Sequence, residues 1–440
     1  MSETPYKRAL VQALGCKVNQ AEAEAMARAL EARGYVVDPF GGQSPDLIVV
    51  NTCCVTSRAE GKSRRMAHSL SEKFPGAPLV IAGCLAEVNP GGFDRITGEK
   101  YLLGSASKGR FDVLADKLCG KCVARPTGPD SLPETACGGE QVGRRRSREF
   151  LKVQDGCSQR CSYCIVPRAR GPSRSLSPSI ALDRAREIAS AGAAEIVVSG
   201  IHLGAYGRDL TPRATLADLL ESLLAACPRT RFRLSSIEPP EISSQLVSMV
   251  AGSANLCRHF HIPLQSGDDE VLARMRRPYN AEMISALVDS IRSAIPSVCI
   301  GMDVMVGFPG ESSESFGRTL DLIQRLAPAY LHVFPFSPRP ATPAASFEPR
   351  VSANAIRERV RRLRSLSAKL RTAFCERFVG KTMDVVAETK VNTGDGALVT
   401  RSDNYLLIKV IPPKGRAERR RFPVLVDQMR NGELWGSAVD

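Results

Sequence analysis

The sequence predicts an α/β fold in three parts: an N-terminal open α/β domain, a central partial (β/α)6 barrel and a small C-terminal β-barrel. Three observations carry this reading. Short apolar runs alternate with longer amphipathic stretches up to about residue 123, six further strand and helix pairs follow, and the residues after Phe378 hold only short β-like runs. The 440 residues leave room for two to four domains.

In residues 1–123, Leu10–Leu14, Leu47–Val50 and Leu79–Ala82 read as buried strands, and Ala21–Arg33 and Ala59–Lys73 as helices. Residues 124–148 are rich in Pro, Gly and Thr and end in Arg144-Arg145-Arg146-Ser147-Arg148, which reads as a linker with a basic exit. Residues 149–377 hold six strand candidates: Phe150–Val153, Glu195–Val198, Arg231–Ser235, His259–Leu264, Cys299–Val306 and Tyr330–Phe336. Ile180–Ala191, Leu216–Ala226, Ala281–Ala294 and Glu314–Leu326 read as the helices between them. Six such units are two short of a closed eightfold barrel, so an open barrel fits. Ala353–Arg377 then reads as a long basic helix with Arg357, Arg361 and Arg364 at helical spacing. In residues 378–440, Asp384–Glu388, Ala397–Thr400, Leu406–Val410 and Val424–Val426 are spaced as the strands of a small barrel.

The formal charge is +14, and residues 350–440 carry 19 Lys+Arg against 10 Asp+Glu, a net of +9. Charge concentrated in a barrel-like tail points to a polyanion, with Arg357, Arg361, Arg364, Arg419, Arg420 and Arg421 as the candidate RNA contacts. Asn404, Tyr405 and Trp435 could add stacking or could equally be core. No apolar run reaches the length of a membrane span, and Met1–Arg8 lacks a secretory pattern, so no membrane partner and a cytoplasmic location are expected. Thiols stay reduced there, and the 14 cysteines point to metal ligation or catalysis rather than to disulfides.

Two cysteine patterns stand out. Cys157-Ser-Gln-Arg-Cys161-Ser-Tyr-Cys164 follows the first barrel strand. Three close thiolates can hold three irons of a [4Fe-4S] cluster and leave the fourth open, the alternative being a zinc knuckle with a remote ligand. Cys16, Cys53 and Cys84 follow three successive strand candidates, so parallel pairing would bring them to one sheet edge, where open α/β folds bind ligands. Singly each would read as a buried small hydrophobe; the repeated position favours a second cluster.

The spacing Cys157–Cys164, with Tyr163 before its last cysteine, resembles the radical S-adenosylmethionine (SAM) superfamily. Gly15-Cys16-Lys-Val-Asn19-Gln20, Asn51-Thr52-Cys53-Cys54-Val55-Thr56 and Gly83-Cys84-Leu-Ala86 resemble the three further ligand motifs of the methylthiotransferases. The resemblance continues through Arg170-Gly171, His261-Ile-Pro-Leu-Gln265-Ser-Gly267 and Asp303-Val-Met-Val-Gly-Phe-Pro-Gly310-Glu311, and ends in a tail like the RNA-binding TRAM domain. Gly-Cys-Lys-Val-Asn-Gln, Asn-Thr-Cys-x-Val-Thr and Gly200-Ile-His202-Leu203-Gly204-x-Tyr206-Gly207 look like the branch acting on N6-threonylcarbamoyladenosine of tRNA.

The resemblance implies two [4Fe-4S] clusters and SAM as both methyl donor and radical source. Cys157, Cys161 and Cys164 would hold the cluster that cleaves SAM, and Cys16, Cys53 and Cys84 the one that carries or activates sulfur. An unactivated aromatic C–H needs such a cofactor-borne radical. Implied SAM contacts are Tyr163, Ser199, Gly200, Glu238 and Gln265, with Arg170 and Arg174 facing substrate or the SAM carboxylate. Implied partners are the tRNA anticodon stem-loop, a low-potential electron donor and a sulfur source. The alternatives are the same chemistry on isopentenyladenosine of tRNA or on an aspartate of a ribosomal protein, and, in another class, a non-catalytic RNA-binding metalloprotein.

Four positions depart from the pattern: Cys54 adds a thiol beside Cys53, Glu87 and Arg168 replace a frequent Gln and aromatic, and Leu176 replaces a common Arg. Cys119 and Cys122, with Cys137 nearby, read as incidental, and Cys227, Cys257, Cys299 and Cys375 as buried. Gly380-Lys381-Thr382 mimics the end of a P-loop in the wrong context. Of the histidines, His261 reads as structural and His202 as the better substrate contact.

Overall fold

Three apolar runs become neighbouring parallel strands and set the first sheet. The computed structural model describes residues 7–38, 44–119, 147–388, 396–411 and 421–439. It divides into two units that interleave along the chain. Unit one is Met1–Gly143 with Asp155–Ser173 and Ser337–Ala345; unit two is Arg144–Gln154, Arg174–Phe336 and Ser346–Asp440. Of the linker read at 124–148, residues 124–146 lie outside the described residues.

Unit one is a five-stranded parallel sheet of β1 (Arg8–Ala13), β2 (Val36–Val37), β3 (Leu47–Thr52), β4 (Leu79–Gly83) and β5 (Lys100–Leu103), in the order β2-β1-β3-β4-β5. Every residue of β3 and β4 is buried, which is why they read as unbroken apolar runs: both faces are covered. Met26 and Leu30 of α1 (Lys17–Glu31) and Phe111 of α4 (Phe111–Cys119) pack with Val49 and Val80 on one face. Ala67 of α2 (Ser57–Lys73) packs with Ile48 and Ile81 on the other. This second cluster also includes Cys84 and Leu85 of α3 (Cys84–Val88), and Ile165 and Ala169 of the turn at α5 (Val166–Arg170). Burial of those last two apolar residues draws the Cys157–Cys164 segment into unit one.

Unit two contains six parallel strands. β6 (Arg148–Lys152), β7 (Glu195–Ser199) and β8 (Arg231–Leu234) form one sheet, and β9 (His259–Gln265), β10 (Cys299–Val306) and β11 (Tyr330–Pro335) the other. Parallel bridges Phe232 to Leu256 and Ser236 to His261 join the sheets into the expected open barrel. Its helices are α6 (Pro178–Ser190), α7 (Leu216–Ala226), α8 (Ser244–Gly252), α9 (Asp269–Arg274), α10 (Ala281–Ala294), α11 (Ser313–Leu326) and α12 (Ala353–Glu376). Ser177, Thr215, Ser243, Asp268, Asn280, Ser312 and Ser352 cap these seven, each accepting from the backbone N–H three residues on.

The tail closes into a five-stranded barrel of β12 (Thr382–Ala387), β13 (Leu398–Ser402), β14 (Leu407–Val410), β15 (Arg421–Arg430) and β16 (Glu433–Ala438), in the order β12-β13-β14-β16-β15. It is tied to the strands of the larger barrel by charge. Glu195, fully buried at the start of β7, pairs with Arg148 at 2.8 Å, Arg231 at 2.7 Å and Arg233 at 2.8 Å. Arg231 also donates to the carbonyls of Asp384 and Arg401, and Arg233 to those of Ser402 and Asp403. Burial opposes ionisation of Glu195, but the three guanidiniums outweigh it and hold its carboxyl well below the usual range. Among the described residues, no helix is long and apolar enough to cross a membrane.

Candidate functional site

The strand register of unit one decides where its cysteines lie. Asn51 pairs with Ala13 on one side and Ala82 on the other, so β1, β3 and β4 end at the same edge. Cys16, Cys53 and Cys84 follow those ends and converge there, near enough for their thiols to influence one another. Cys53 and Cys84 are buried and Cys16 is exposed.

Two glycines make the approach possible. Gly15 has φ +99°, and a Cβ there would sit 2.7 Å from the Cys53 sulfur. Gly83 has φ +104°, and a Cβ would meet Asn51 Oδ1 and the Thr52 carbonyl at 2.5 Å. Asn19 donates to the carbonyls of Leu14 (2.7 Å) and Thr52 (2.9 Å), locking the β1 and β3 exits together.

The surrounding charges were not legible in the sequence. Arg170 is buried, and its Nε lies 3.2 Å from the Cys84 sulfur. Its Nη1 donates to Glu22 (2.9 Å) and Asp155 (2.8 Å), and its Nη2 to Asn19 (2.5 Å) and Glu22 (3.2 Å). Lys108 is a second buried cation, paired with Glu22. A hydrogen bond with the Cys54 thiol, working against burial and helped by Arg170 and Lys108, brings the Cys84 thiol down to about 5. Burial instead pushes Cys53 up to about 11. Thus Arg170 does not face a substrate carboxylate as the resemblance implied; its donors are consumed around Cys84, and its partners come from segments far away in sequence. Cys54 is fully buried with its thiol on Cys84, so it belongs to the packing behind the set.

The second set is local. Cys157, Cys161 and Cys164 lie half-buried on one loop. The Cys157 N–H donates to the Gly171 carbonyl (3.1 Å) and the Cys164 N–H to the Cys161 carbonyl (3.2 Å). Gly156, at φ +68°, lies so close to the Pro172 backbone that a Cβ would collide with it. Residues 337–345 brace this loop: the Ala344 N–H donates to the Ser162 carbonyl (2.8 Å), while Arg339 pairs with Glu60. Tyr163 is half-buried on the same loop.

Both sets fit a [4Fe-4S] cluster. Each supplies three thiol sulfurs, and the buried set has two cations to balance negative charge and an N–H directed at one sulfur.

In unit two, the other residues implied as SAM contacts lie at or beyond the C-terminal ends of strands. Ser199, last in β7, is fully buried and its hydroxyl donates to the Leu151 carbonyl (3.3 Å), so only its backbone remains to serve a ligand. A Cβ on the next residue, Gly200, would lie 2.9 Å from the Gln154 side chain. Glu238 is paired with Arg277. Gln265 ends β9 in the left-handed region at φ 65°, a conformation uncommon outside glycine. His202 is buried, with its Nε2 2.7 Å from Glu241 Oε1.

Arg357, Arg361 and Arg364 are exposed along α12, with Arg361 paired to Glu358 at 2.6 Å. Arg421, its side chain 26% exposed, is paired with Asp384 at 2.9 Å and hydrogen-bonded to Asn255 at 3.3 Å. Arg419 and Arg420 lie outside the described residues, as do Cys122 and Cys137. Asn404 is fully buried and Tyr405 stacks on His259 at 4.2 Å, so both are core. Trp435 is half-buried between Lys409 (5.2 Å) and Arg430 (5.6 Å).

Residues 151–323 match the Radical SAM superfamily, and residues 8–104 match Uncharacterized protein family UPF0004. The chain is 34% identical over 402 residues to the threonylcarbamoyladenosine tRNA methylthiotransferase MtaB of Bacillus subtilis, covering 90% of this chain and 88% of that protein. It is 35% identical over 392 residues to the Thermotoga maritima protein of the same name, covering 88% of each. It is also 32% identical over 430 residues to the tRNA-2-methylthio-N(6)-dimethylallyladenosine synthase of Pelotomaculum thermopropionicum, covering 92% of this chain and 94% of that one. Among solved structures it is similar in fold to the radical S-adenosylmethionine methyltransferase TsrM of Kitasatospora setae, with a TM-score of 0.56, 15% identity, and coverage of 78% of this chain and 74% of that one. The chain belongs to the radical SAM methylthiotransferase family.

Proposed function

We propose that this chain converts N6-threonylcarbamoyladenosine at position 37 of tRNA to its 2-methylthio derivative, in the cytoplasm, with two [4Fe-4S] clusters and SAM. The observation that carries the reading is the convergence of Cys16, Cys53 and Cys84 beside Arg170, in a unit that also holds the Cys157–Cys164 loop. Relatives named for threonylcarbamoyladenosine at 31–35% identity support the choice of nucleoside. Relatives named for dimethylallyladenosine at 29–32% identity favour the second reading, the same chemistry on that base.

Cys157, Cys161 and Cys164 would hold one cluster and Cys16, Cys53 and Cys84 the other. When bound, the clusters and SAM supply the one-electron and methyl-transfer chemistry that replaces an adenine C2 hydrogen with a methylthio group. The chain's own residues position and insulate. Arg170 directs an N–H at the Cys84 sulfur and, with Lys108, favours the thiolate form of Cys84. Gly15 and Gly83 keep the space between strand ends open. Tyr163, Ser199 through its backbone, Gly200, Glu238 and Gln265 are the proposed SAM contacts. We read residues 1–123, 149–377 and 378–440 as the methylthiotransferase, radical SAM and TRAM-like parts, joined at 124–148.

For the tRNA anticodon stem-loop, Arg357, Arg361 and Arg364 offer exposed positive charge, and Trp435 between Lys409 and Arg430 offers a stacking face. A low-potential electron donor and a sulfur source complete the proposed partners. The test is mass spectrometry of tRNA nucleosides from strains with and without the gene. Loss of methylthio-threonylcarbamoyladenosine supports the reading; loss of methylthio-isopentenyladenosine selects the second; an unchanged profile refutes both.

A further inference from the structure

Three side chains in unit two, remote in sequence from every cysteine assigned above, form a group of another kind. His261 is on β9, Asp303 on β10 and His332 on β11. Asp303 pairs in register with His332. His261 pairs in register with Gly301, two residues before Asp303. Registered residues, and those two apart, share a face of a parallel sheet, so all three point the same way. His261 Nε2 lies 2.8 Å from Asp303 Oδ1 and His332 Nδ1 lies 3.2 Å from the same oxygen. One ligand atom from each lies within 4.8 Å of the others.

We propose that His261, Asp303 and His332 bind a divalent first-row cation, Zn2+ fitting best. The donor set is two imidazoles and one carboxylate, which suits zinc and its neighbours. Bonds of about 2.0–2.1 Å to nitrogen and oxygen put donor atoms roughly 3 Å apart; the two imidazole nitrogens stand 2.8 and 3.2 Å from the carboxylate oxygen, and all three atoms lie within 4.8 Å of one another. The outer contacts fit as well. A metal-bound imidazole is oriented through its far nitrogen, and His261 Nδ1 is hydrogen-bonded to the Tyr330 hydroxyl at 3.0 Å, which is itself 2.9 Å from His259 Nε2. Gly301 makes room for this: a Cβ there would collide with the Tyr330 ring. His261 is buried while the His332 side chain is 61% exposed, so the ion has an entry path and keeps coordination positions open to solvent.

The inference does not rest on the methylthiotransferase reading, because no cysteine takes part. The probe is Zn2+, equilibrated with the full chain after anaerobic iron loading, with metal content measured by mass spectrometry and the zinc environment by X-ray absorption. The expected result is one Zn2+ per chain with only nitrogen and oxygen scatterers at about 2.0–2.1 Å. His332→Ala and Asp303→Asn should each weaken zinc binding about tenfold or more while iron content stays unchanged. His332 is exposed, so that variant keeps the test valid even where Asp303→Asn fails to fold. Absence of uptake, equal uptake by His332→Ala, or sulfur scatterers at about 2.3 Å would overturn the proposal, the group then being a hydrogen-bonded trio only.

Discussion

Two buried charge clusters organise this protein, and they differ in where their hydrogen bonds end. Around Glu195, three arginines converge on one carboxylate; Arg231 and Arg233 pass further donors to backbone carbonyls of β12, β13 and the turn after β13, and Arg148 passes one to the Glu388 carboxylate. Every charge there closes on another protein group, and the cluster joins two β structures. Around Arg170, one arginine meets two carboxylates and an amide but keeps one N–H for the sulfur of Cys84. A buried arginine therefore does not by itself mark an active site; the atom its last donor reaches does.

The comparison can be broken in steps, starting with the largest effect. Replacing Cys157, Cys161 and Cys164 with Ala should abolish SAM cleavage altogether and lower reconstituted iron from about eight to about four per chain. Iron that stays at eight would remove the loop from the ligand set.

Glu195→Gln takes from Arg148, Arg231 and Arg233 the carboxylate they share, leaving Arg148 with Glu388 and Arg231 with Asp384, and should cost about 3–5 kcal/mol in urea unfolding. Its pH dependence has a definite sign. The folded carboxyl lies below its unfolded value, so its contribution is complete above about pH 4.3 and is lost as pH falls toward the lowered folded value. The gap between wild type and Glu195→Gln should then narrow in acid; a gap that widens would contradict the assignment.

Arg170→Ala removes the buried guanidinium shared by Glu22 and Asp155, leaving Glu22 with Lys108 and Asp155 with the Gly156 N–H, and should destabilise by a similar amount, about 3–5 kcal/mol. Unlike Glu195→Gln, it should also change the electron paramagnetic resonance signal of the reduced, iron-loaded protein. Identical spectra would make Arg170 purely structural, like its counterparts around Glu195.

The smallest effect concerns RNA. Replacing Arg357, Arg361 and Arg364 with Ala should make the salt dependence of tRNA binding shallower by about two to three in log–log slope. An unchanged slope would leave α12 as a solvated face.

The ease with which each feature could be read follows its locality. Cys157–Cys164 is a contiguous spacing and was legible at once. Cys16, Cys53 and Cys84 were legible only because each follows an apolar run and parallel strands share an end. Arg170 was misplaced because Glu22 and Asp155 reach it from segments 148 and 15 residues away, a juxtaposition made by packing. Arg231 and Arg233 alternate with Phe232 and Leu234 along β8, and nothing nearby in the sequence announces that Glu195 waits inside for them. Strand β16 was missed, although Asn431 (φ 51°) and Gly432 (φ 78°) form the turn that two-residue hairpins favour and could have revealed it. Of the tail, the charge was legible but its use was not: Arg421 closes on Asp384.

The central claim is that the dispersed set Cys16, Cys53 and Cys84 does chemistry separate from that of the local set. The direct measurement is a paired assay on a variant with all three replaced by Ala, following SAM cleavage and methylthio insertion into tRNA in one reaction. The account predicts that SAM cleavage persists while insertion is lost. Insertion that survives without those three cysteines would contradict it.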